Sequence, residues 1–401
     1  MSNTSNPALR CLPSIPHPPR RACGHLHTNR AFTCRCGQPV FFRNSVCLAC
    51  SAPLGYDPER GLLISLNPLP DRAADMALWQ SAESTPHEGR YARCRNLNSA
   101  AACNWLIPLG DAASPEQDLC LCCRLTRRLP DLSIDSNAVW WGRIEIAKRR
   151  MLSSMLGMHL PVVPLADDPQ QGLAFDLLTS TDGTPIVTGH ENGVITLDAE
   201  EADDPTRELR RTQLLEPYRT LLGHMRHEVG HYYWHRLVEH TEWLTAFRNE
   251  FGDEREDYSA ALQRHYSQGP CADWSLRHVS AYASCHPWED WAETWANYLH
   301  MTDTLDTAQS FGLDGERLEL TYEPFTAEAF GDAGPDSTEF ARLLNQWMQL
   351  TGVLNELSRS MGVPDFYPFV LSAPAVRKLH LVHRIIEAAE ARWNASEGYM
   401  A

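Results

Sequence analysis

The placement of cysteine is the feature that most constrains this chain. Eleven of its 13 cysteines lie before residue 124, and only Cys271 and Cys285 follow. An odd number of clustered thiols in a reducing compartment favours metal binding over a disulfide framework. A short segment punctuated by Gly and Pro also buries too little apolar surface to fold without such a staple. We therefore expect the first third of the chain to fold around metal ions.

The cysteines form two candidate zinc sites. The first has a C-x-C pair and a C-x-x-C pair with ten residues between them, and comprises Cys34, Cys36, Cys47 and Cys50. This spacing is typical of structural zinc. The second set is looser and comprises Cys94, Cys103, Cys120 and Cys123. Cys122 could replace Cys120 or Cys123, and we prefer the C-x-x-C pair because its spacing matches metal knuckles.

Charge is divided unevenly along the chain. Residues 1–150 carry 18 Lys and Arg against 12 Asp and Glu, whereas residues 151–401 carry 17 against 39. We expect a disordered tail over 1–30, a zinc-ribbon module over 31–135 and a further domain over 136–401. The net charge of −16 argues against nucleic acid as a partner. Without a membrane-length apolar run or a signal-peptide core, the expected location is cytoplasmic, with no membrane partner.

The second part of the chain predicts a small β region followed by helices. Ala174–Leu178 and residues 194–197 are β-like and flank two turn signals, at 181–183 and 191–193. Helical periodicity is seen at 140–156, at 214–232 with Pro217 as the first helical residue, from Pro287 onward, at 338–358 and at 373–393. This pattern is that of an α+β protein.

An HExxH motif lies within the predicted helix over 214–232. Histidines four residues apart, His227 and His231, share one helical face and can both bind one tetrahedral Zn²⁺. Glu228 lies about 100° further round, where it can take a proton from a water molecule. Gly230 costs the helix roughly 1 kcal/mol, which suggests that another backbone approaches it closely. The competing interpretation is a chance match, since the chain has 17 histidines.

A third metal ligand is available from the helix that begins at Pro287. Glu289 and Glu293 are four residues apart and share a face of that helix. One carboxylate can complete the metal shell, and the other can hydrogen-bond a ligand histidine from outside it. The alternative is a surface helix with two solvated acids.

These motifs carry a resemblance. HEVGH followed by EDWAE, 58 residues after His231, resembles the gluzincin metallopeptidases. The resemblance implies that Glu289 binds the catalytic zinc, that Glu293 supports a ligand histidine, and that Glu228 is the general base. It also implies that Tyr282, seven residues before Glu289, stabilises the oxyanion; a buried core tyrosine is the alternative.

The resemblance extends over residues 31–390. Its segments are FTCRCGQPVFF at 32–42, LGYDP at 54–58, CNWLIP at 103–108, AKRR at 147–150, HPWEDWAE at 286–293 and RSMGVPDFYPF at 359–369. They are similar to a bacterial family of zinc-binding metallopeptidases with an N-terminal zinc ribbon. The implied fold is a zinc-ribbon module built on four-cysteine sites, followed by a mainly helical, zincin-like domain with a small β-sheet.

That family resemblance implies one catalytic zinc ion and one or two structural ones. The expected substrate is a peptide or protein, which could lie along residues 194–197 if they form an edge strand. The ribbon could bind a protein partner. The alternative is a non-catalytic protein- or nucleic-acid-binding factor, and Glu228 argues against it because a structural zinc site needs no general base.

Overall fold

The computed structural model describes nine segments of the chain. They are residues 28–69, 77–82, 89–109, 117–180, 186–214, 220–313, 320–330, 335–367 and 370–397. Most of the tail predicted over 1–30 lies outside them. Residues 28–30 are described, and there Thr28 and Arg30 are buried rather than exposed as in a free tail.

The N-terminal part consists of two antiparallel sheets. A two-stranded hairpin is formed by β1 (Phe32–Thr33) and β2 (Pro39–Val40). A five-stranded meander follows, comprising β3 (Leu54–Asp57), β4 (Leu62–Pro68), β5 (Leu78–Ser81), β6 (Arg90–Arg93) and β7 (Leu106–Pro108). A short helix α1 (Leu121–Arg124) then leads into the next sheet.

A four-stranded mixed sheet supports the second part of the molecule. Its strands are β8 (Thr126–Arg128), β9 (Ala174–Leu178), β10 (Gly189–Glu191) and β11 (Val194–Asp198), and the long helix α2 (Asp135–Gly157) connects the first two. Their order is β10-β11-β9-β8, with β9 parallel to both β8 and β11.

The prediction that residues 194–197 form an edge strand is wrong. They belong to β11, which lies between β9 and β10, so that β10 is the edge. Asn192 and Gly193 both have positive φ values, of 48° and 77°. This is the two-residue turn that folds a chain back on itself, and it lays β10 along the otherwise open side of β11. The other turn signal, at 181–183, lies outside the described residues.

The remaining elements are helices. They are α3 (Asp204–Leu214), α4 (Leu221–Leu237), α5 (Trp243–Phe251), α6 (Tyr258–Gln268), α7 (Pro287–Ser310), α8 (Pro335–Ser360) and α9 (Ala373–Glu397). The helix predicted to start at Pro217 starts later, at Leu221, and Leu214 instead ends α3. Thr220 starts α4 anew, since its hydroxyl accepts a hydrogen bond from the Gly223 N–H. Pro217 lies outside the described residues. The α+β class is confirmed.

Helices α4 and α7 pack closely at Gly230. A Cβ built on Gly230 would lie 3.0 Å from the Cα of Ala292, and the indole of Trp291 donates a hydrogen bond to the Gly230 carbonyl. The predicted close approach of another backbone is therefore confirmed. Gly230 lets the two helices that carry the motif residues meet face to face.

One hydrophobic core runs through both parts of the chain. It joins the ribbon residues Cys103 and Trp105 to Met151 of α2 and to Trp295 of α7. None of the described helices is long and apolar enough to cross a membrane.

A buried ion cluster ties the N-terminal segment to α2, α4 and α7. Asp303 of α7 binds three guanidinium groups, those of Arg30, Arg150 and Arg226, at 2.7–2.8 Å. Arg226 directly precedes His227. Burial would raise the pKa of Asp303, but the three arginines hold it well below its usual range.

We expect Asp303→Asn to destabilise the fold by about 3–5 kcal/mol, because it leaves buried guanidinium groups without their counter-ion. Denaturant unfolding measures the loss. Since the carboxyl pKa is depressed, this stability is present above the pKa of an unfolded Asp and declines as the pH falls below it. Asp204→Asn, at a carboxylate that is 65% exposed beside Arg207, is the control and should cost less than about 1 kcal/mol. Equal losses in the two variants would contradict this role for Asp303.

Both lysines of the chain are buried in ion pairs. Lys148 binds Glu145 at 2.5 Å within α2, and Lys378 of α9 binds Asp290 of α7 at 2.5 Å. The second pair fixes the C-terminal helix to the helix that carries Glu289.

Candidate metal centre

Two histidines of α4 point at the same position inside the protein. His227 and His231 are 8% and 4% exposed, and their Nε2 atoms lie 3.2 Å apart. The ring of His231 packs against Trp288 with centroids 4.2 Å apart. Two facing nitrogens at this distance cannot both donate, and two neutral rings protonated on Nδ1 would present both Nε2 lone pairs to a common centre.

Helix α7 supplies a carboxylate to the same centre. Pro287 occupies its first turn, and the ring of His286 caps it by accepting a hydrogen bond from the Trp288 N–H at 3.1 Å. In the same turn, the Oε2 atom of Glu289 lies 3.0 Å from His227 Nε2 and 3.6 Å from His231 Nε2. Glu289 is 1% exposed, and within the described part of the chain this oxygen has no hydrogen-bond partner.

These distances fit a zinc ion. A tetrahedral Zn²⁺ with ligand bonds near 2.0–2.1 Å separates its N and O ligands by about 3.3 Å. The three observed separations lie on either side of that value. Burial would raise the pKa of Glu289, but the neighbouring charges of His231 and His227 keep it well below its ordinary value, so the ligand is ionised.

Glu293 holds the outer side of His227. Its Oε1 atom lies 2.7 Å from His227 Nδ1, and Ser280 donates a hydrogen bond to its Oε2 at 2.5 Å. An Nδ1–H that donates to this carboxylate leaves the Nε2 lone pair of His227 facing the centre. Burial would raise the pKa of Glu293, but the hydrogen bond from His227 lowers it.

We expect Glu289→Ala to lower zinc at this centre more than Glu293→Ala does. The first removes a donor atom, whereas the second removes only the support of one histidine, an effect typically of 10- to 100-fold in affinity. Zinc competition with a chromogenic chelator measures both. The reverse order would exchange the roles of the two acids.

Glu228 lies beside the centre rather than in it. It is buried, and its Oε1 atom lies 3.3 Å from the Nε2 atom of His224. Burial would raise the pKa of Glu228, but the hydrogen bond from His224 and the nearby histidine charges lower it. The group is therefore a carboxylate that can accept a proton.

Two tyrosines lie near the same centre. The ring of Tyr282 is 6.0 Å from that of His227, and burial followed by the charge of Glu289 raises its pKa well above the usual value. Its hydroxyl therefore stays protonated and can donate. Tyr258, at the start of α6, donates a hydrogen bond to Glu289 Oε1 at 2.7 Å. Sequence reasoning missed Tyr258, which has no fixed spacing from either motif.

The two cysteine sets also converge. The first brings together Cys34, Cys36, Cys47 and Cys50, and the second Cys94, Cys103, Cys120 and Cys123. Three sulfur separations are 3.5, 3.6 and 3.8 Å. They are far longer than a disulfide and close to the roughly 3.8 Å edge of a zinc tetrathiolate. Cys122 lies outside the second set, with its thiol 3.8 Å from Glu145.

Comparison with known proteins identifies the family. Two histidines of α4 and a glutamate of α7 converge as a candidate metal-ligand set. Residues 137–385 match the family model described as "putative zinc-binding metallo-peptidase", and residues 31–134 match a zinc-ribbon domain. The chain belongs to this zinc-binding family.

Its relatives include proteins of Mycobacterium bovis and Mycobacterium tuberculosis that are named only as uncharacterized. Each is 40% identical over 360 residues, which covers 89% of this chain and 95% of the relative. No solved structure matches the chain.

Proposed function

We propose that the chain is a zinc-dependent metallopeptidase that hydrolyses peptide bonds. The observation that carries this proposal is the convergence of His227, His231 and Glu289 with a buried carboxylate, Glu228, beside them. A site that only stabilised the fold would need no further buried acid outside the metal-ligand set.

A zinc ion held by these three residues would activate a water molecule and polarise the carbonyl of the scissile bond. Glu228 accepts the proton of the attacking water and delivers it to the leaving amine. Tyr282 donates a hydrogen bond to the developing oxyanion. Tyr258 holds Glu289 in its orientation, in the same way that Glu293 holds His227.

The edge strand β10 provides the surface for an extended substrate. It lies over α4, where His190 contacts the ring of Tyr232 at 6.1 Å and that of His235 at 5.5 Å. A peptide that paired with β10 would continue the sheet and run past the metal-binding helix. We further propose that the zinc ribbon binds the substrate protein or a partner protein.

The test is a peptide-library screen on protein whose zinc content has been measured. Wild-type protein should carry about three zinc ions per chain and cleave peptides. His227→Ala and His231→Ala should each carry one ion fewer and be inactive. His240→Ala, at a side chain that is 89% exposed, is the matched control and should behave as wild type. Two ions per chain, unchanged by either ligand substitution, would contradict the proposal and favour a non-catalytic binding factor.

A further inference from the structure

His224 lies between two buried carboxylates at the start of α4. Its Nδ1 atom is 2.6 Å from Glu201 Oε2, and its Nε2 atom is 3.3 Å from Glu228 Oε1. The side chain of His224 is 16% exposed, and those of both acids are 6% exposed. His224 thus joins Glu201, through a hydrogen bond, to the proposed general base Glu228, through an ion-pair contact.

The helix sets one half of this arrangement. His224 and Glu228 are four residues apart, so they lie on one face of α4 and can bond directly. Neither is among the three residues that converge as metal ligands. His224 therefore acts on the carboxylate and not on the metal.

Glu201 sets the other half from a rigid position. It lies in a one-turn 3-10 helix directly after β11. Asp198 caps this 3-10 helix by accepting a hydrogen bond from the Glu200 N–H at 3.0 Å. The carbonyl of Glu201 accepts a hydrogen bond from Arg207 at 3.1 Å. The hydrogen bond between Glu201 and His224 therefore links the end of the four-stranded mixed sheet to the first turn of α4.

The two carboxylates, Glu201 and Glu228, determine the protonation state of the His224 ring. An ionised carboxylate only accepts, so a ring that bonds both acids must carry a proton on each nitrogen. Burial alone would lower the pKa of His224, but the charge of Glu201 and hydrogen bonds to Glu201 and Glu228 raise it to about 9.

We propose that Glu201 and His224 are positioning residues that hold the Glu228 carboxylate in one orientation for proton transfer. His224 engages one oxygen of Glu228 and leaves the other to take the proton. A free glutamate side chain would have to be ordered at every turnover, at a cost in conformational entropy. Loss of orientation at such a base can cost about 100-fold in rate. The inference rests on the peptidase function proposed above.

The kinetic test compares His224→Ala and Glu201→Gln with a control, His240→Ala. His240 lies just beyond the end of α4, is 89% exposed and lies 3.8 Å from Glu239. We expect kcat to fall about 10- to 100-fold in His224→Ala, and less in Glu201→Gln, with KM and zinc content unchanged. The Tm of His224→Ala should fall, because two buried carboxylates lose the cation between them. His240→Ala should retain the wild-type kcat.

A second readout needs no substrate. Long-range ¹H–¹⁵N spectra of histidine-labelled protein, assigned with His224→Ala, should show both ring nitrogens of His224 protonated at pH 7 in the zinc-loaded wild type. In Glu201→Gln the ring should carry a single proton, because it has lost its charged anchor.

Each result decides the proposal. An unchanged kcat in His224→Ala overturns it, as does a fall in kcat matched by a loss of zinc, because the role is then structural. If the zinc-loaded wild type cleaves no peptide, the peptidase proposal fails. The protonation of the His224 ring then tests on its own whether His224 pairs with Glu201 and Glu228. A His224 ring that carries one proton in both the wild type and Glu201→Gln overturns the proposal. A ring that carries two protons in the wild type but one in Glu201→Gln supports it.

Discussion

Glu228→Gln is expected to reduce peptide hydrolysis by about 100- to 10,000-fold while the zinc content stays at the wild-type level. The amide keeps the size of the side chain but cannot accept the proton of the attacking water, which is the contribution assigned to general base catalysis. Glu228 lies beside the three converging ligand atoms and is not one of them. Steady-state kinetics and metal analysis of the same preparation measure both quantities.

Glu239→Gln is the matched control for this variant. It changes the same residue type just after the end of α4, where Glu239 pairs with His235 away from the metal centre. Its activity should equal that of the wild type. If Glu228→Gln lost zinc, or if it kept its activity, the carboxylate would not be the base.

Cys103→Ser is expected to remove one zinc ion and to unfold much of the N-terminal part. Cys103 is 0% exposed and belongs to the core that also contains α2 and α7. Structural zinc contributes apparent free energies of about 10–16 kcal/mol in small domains, and here a hydroxyl would also be buried. Thermal unfolding and metal analysis are the measurements.

Cys36→Ser provides the comparison, because Cys36 is exposed at the other tetrathiolate. That variant should also lose one zinc ion, but its Tm should fall less and the ion at His227 and His231 should remain. Equal losses of stability would mean that the buried and the exposed sites support the core alike.

The pattern of residues was sufficient for the elements with strong periodicity. Helix α7 begins at Pro287 as predicted, and β9 spans Ala174–Leu178 as predicted. Both are marked by local chemistry, a proline in the first helical turn and a short apolar run. The zinc-ribbon prediction is likewise confirmed by the family match, since cysteine spacing reports directly on metal geometry.

The edge-strand prediction failed for a local reason, because the turn at Asn192 and Gly193 pairs β10 with β11. The other omissions depended on contacts distant in sequence. Tyr258 reaches Glu289 across 31 residues, and Glu201 reaches His224 across 23. No spacing rule links such pairs, so the contacts of Tyr258 and Glu201 could be identified only once the helices were placed.

The burial of both lysines has a consequence for the chemistry of the surface. Every basic side chain other than Lys148, Lys378 and the histidines is an arginine. Guanidinium groups stay charged beyond about pH 12, whereas an exposed ammonium begins to lose its proton near pH 10. The positive charges on the folded surface should therefore persist in mild alkali. Reagents that acylate amines should leave the lysines of the native protein unmodified, so that their labelling reports unfolding.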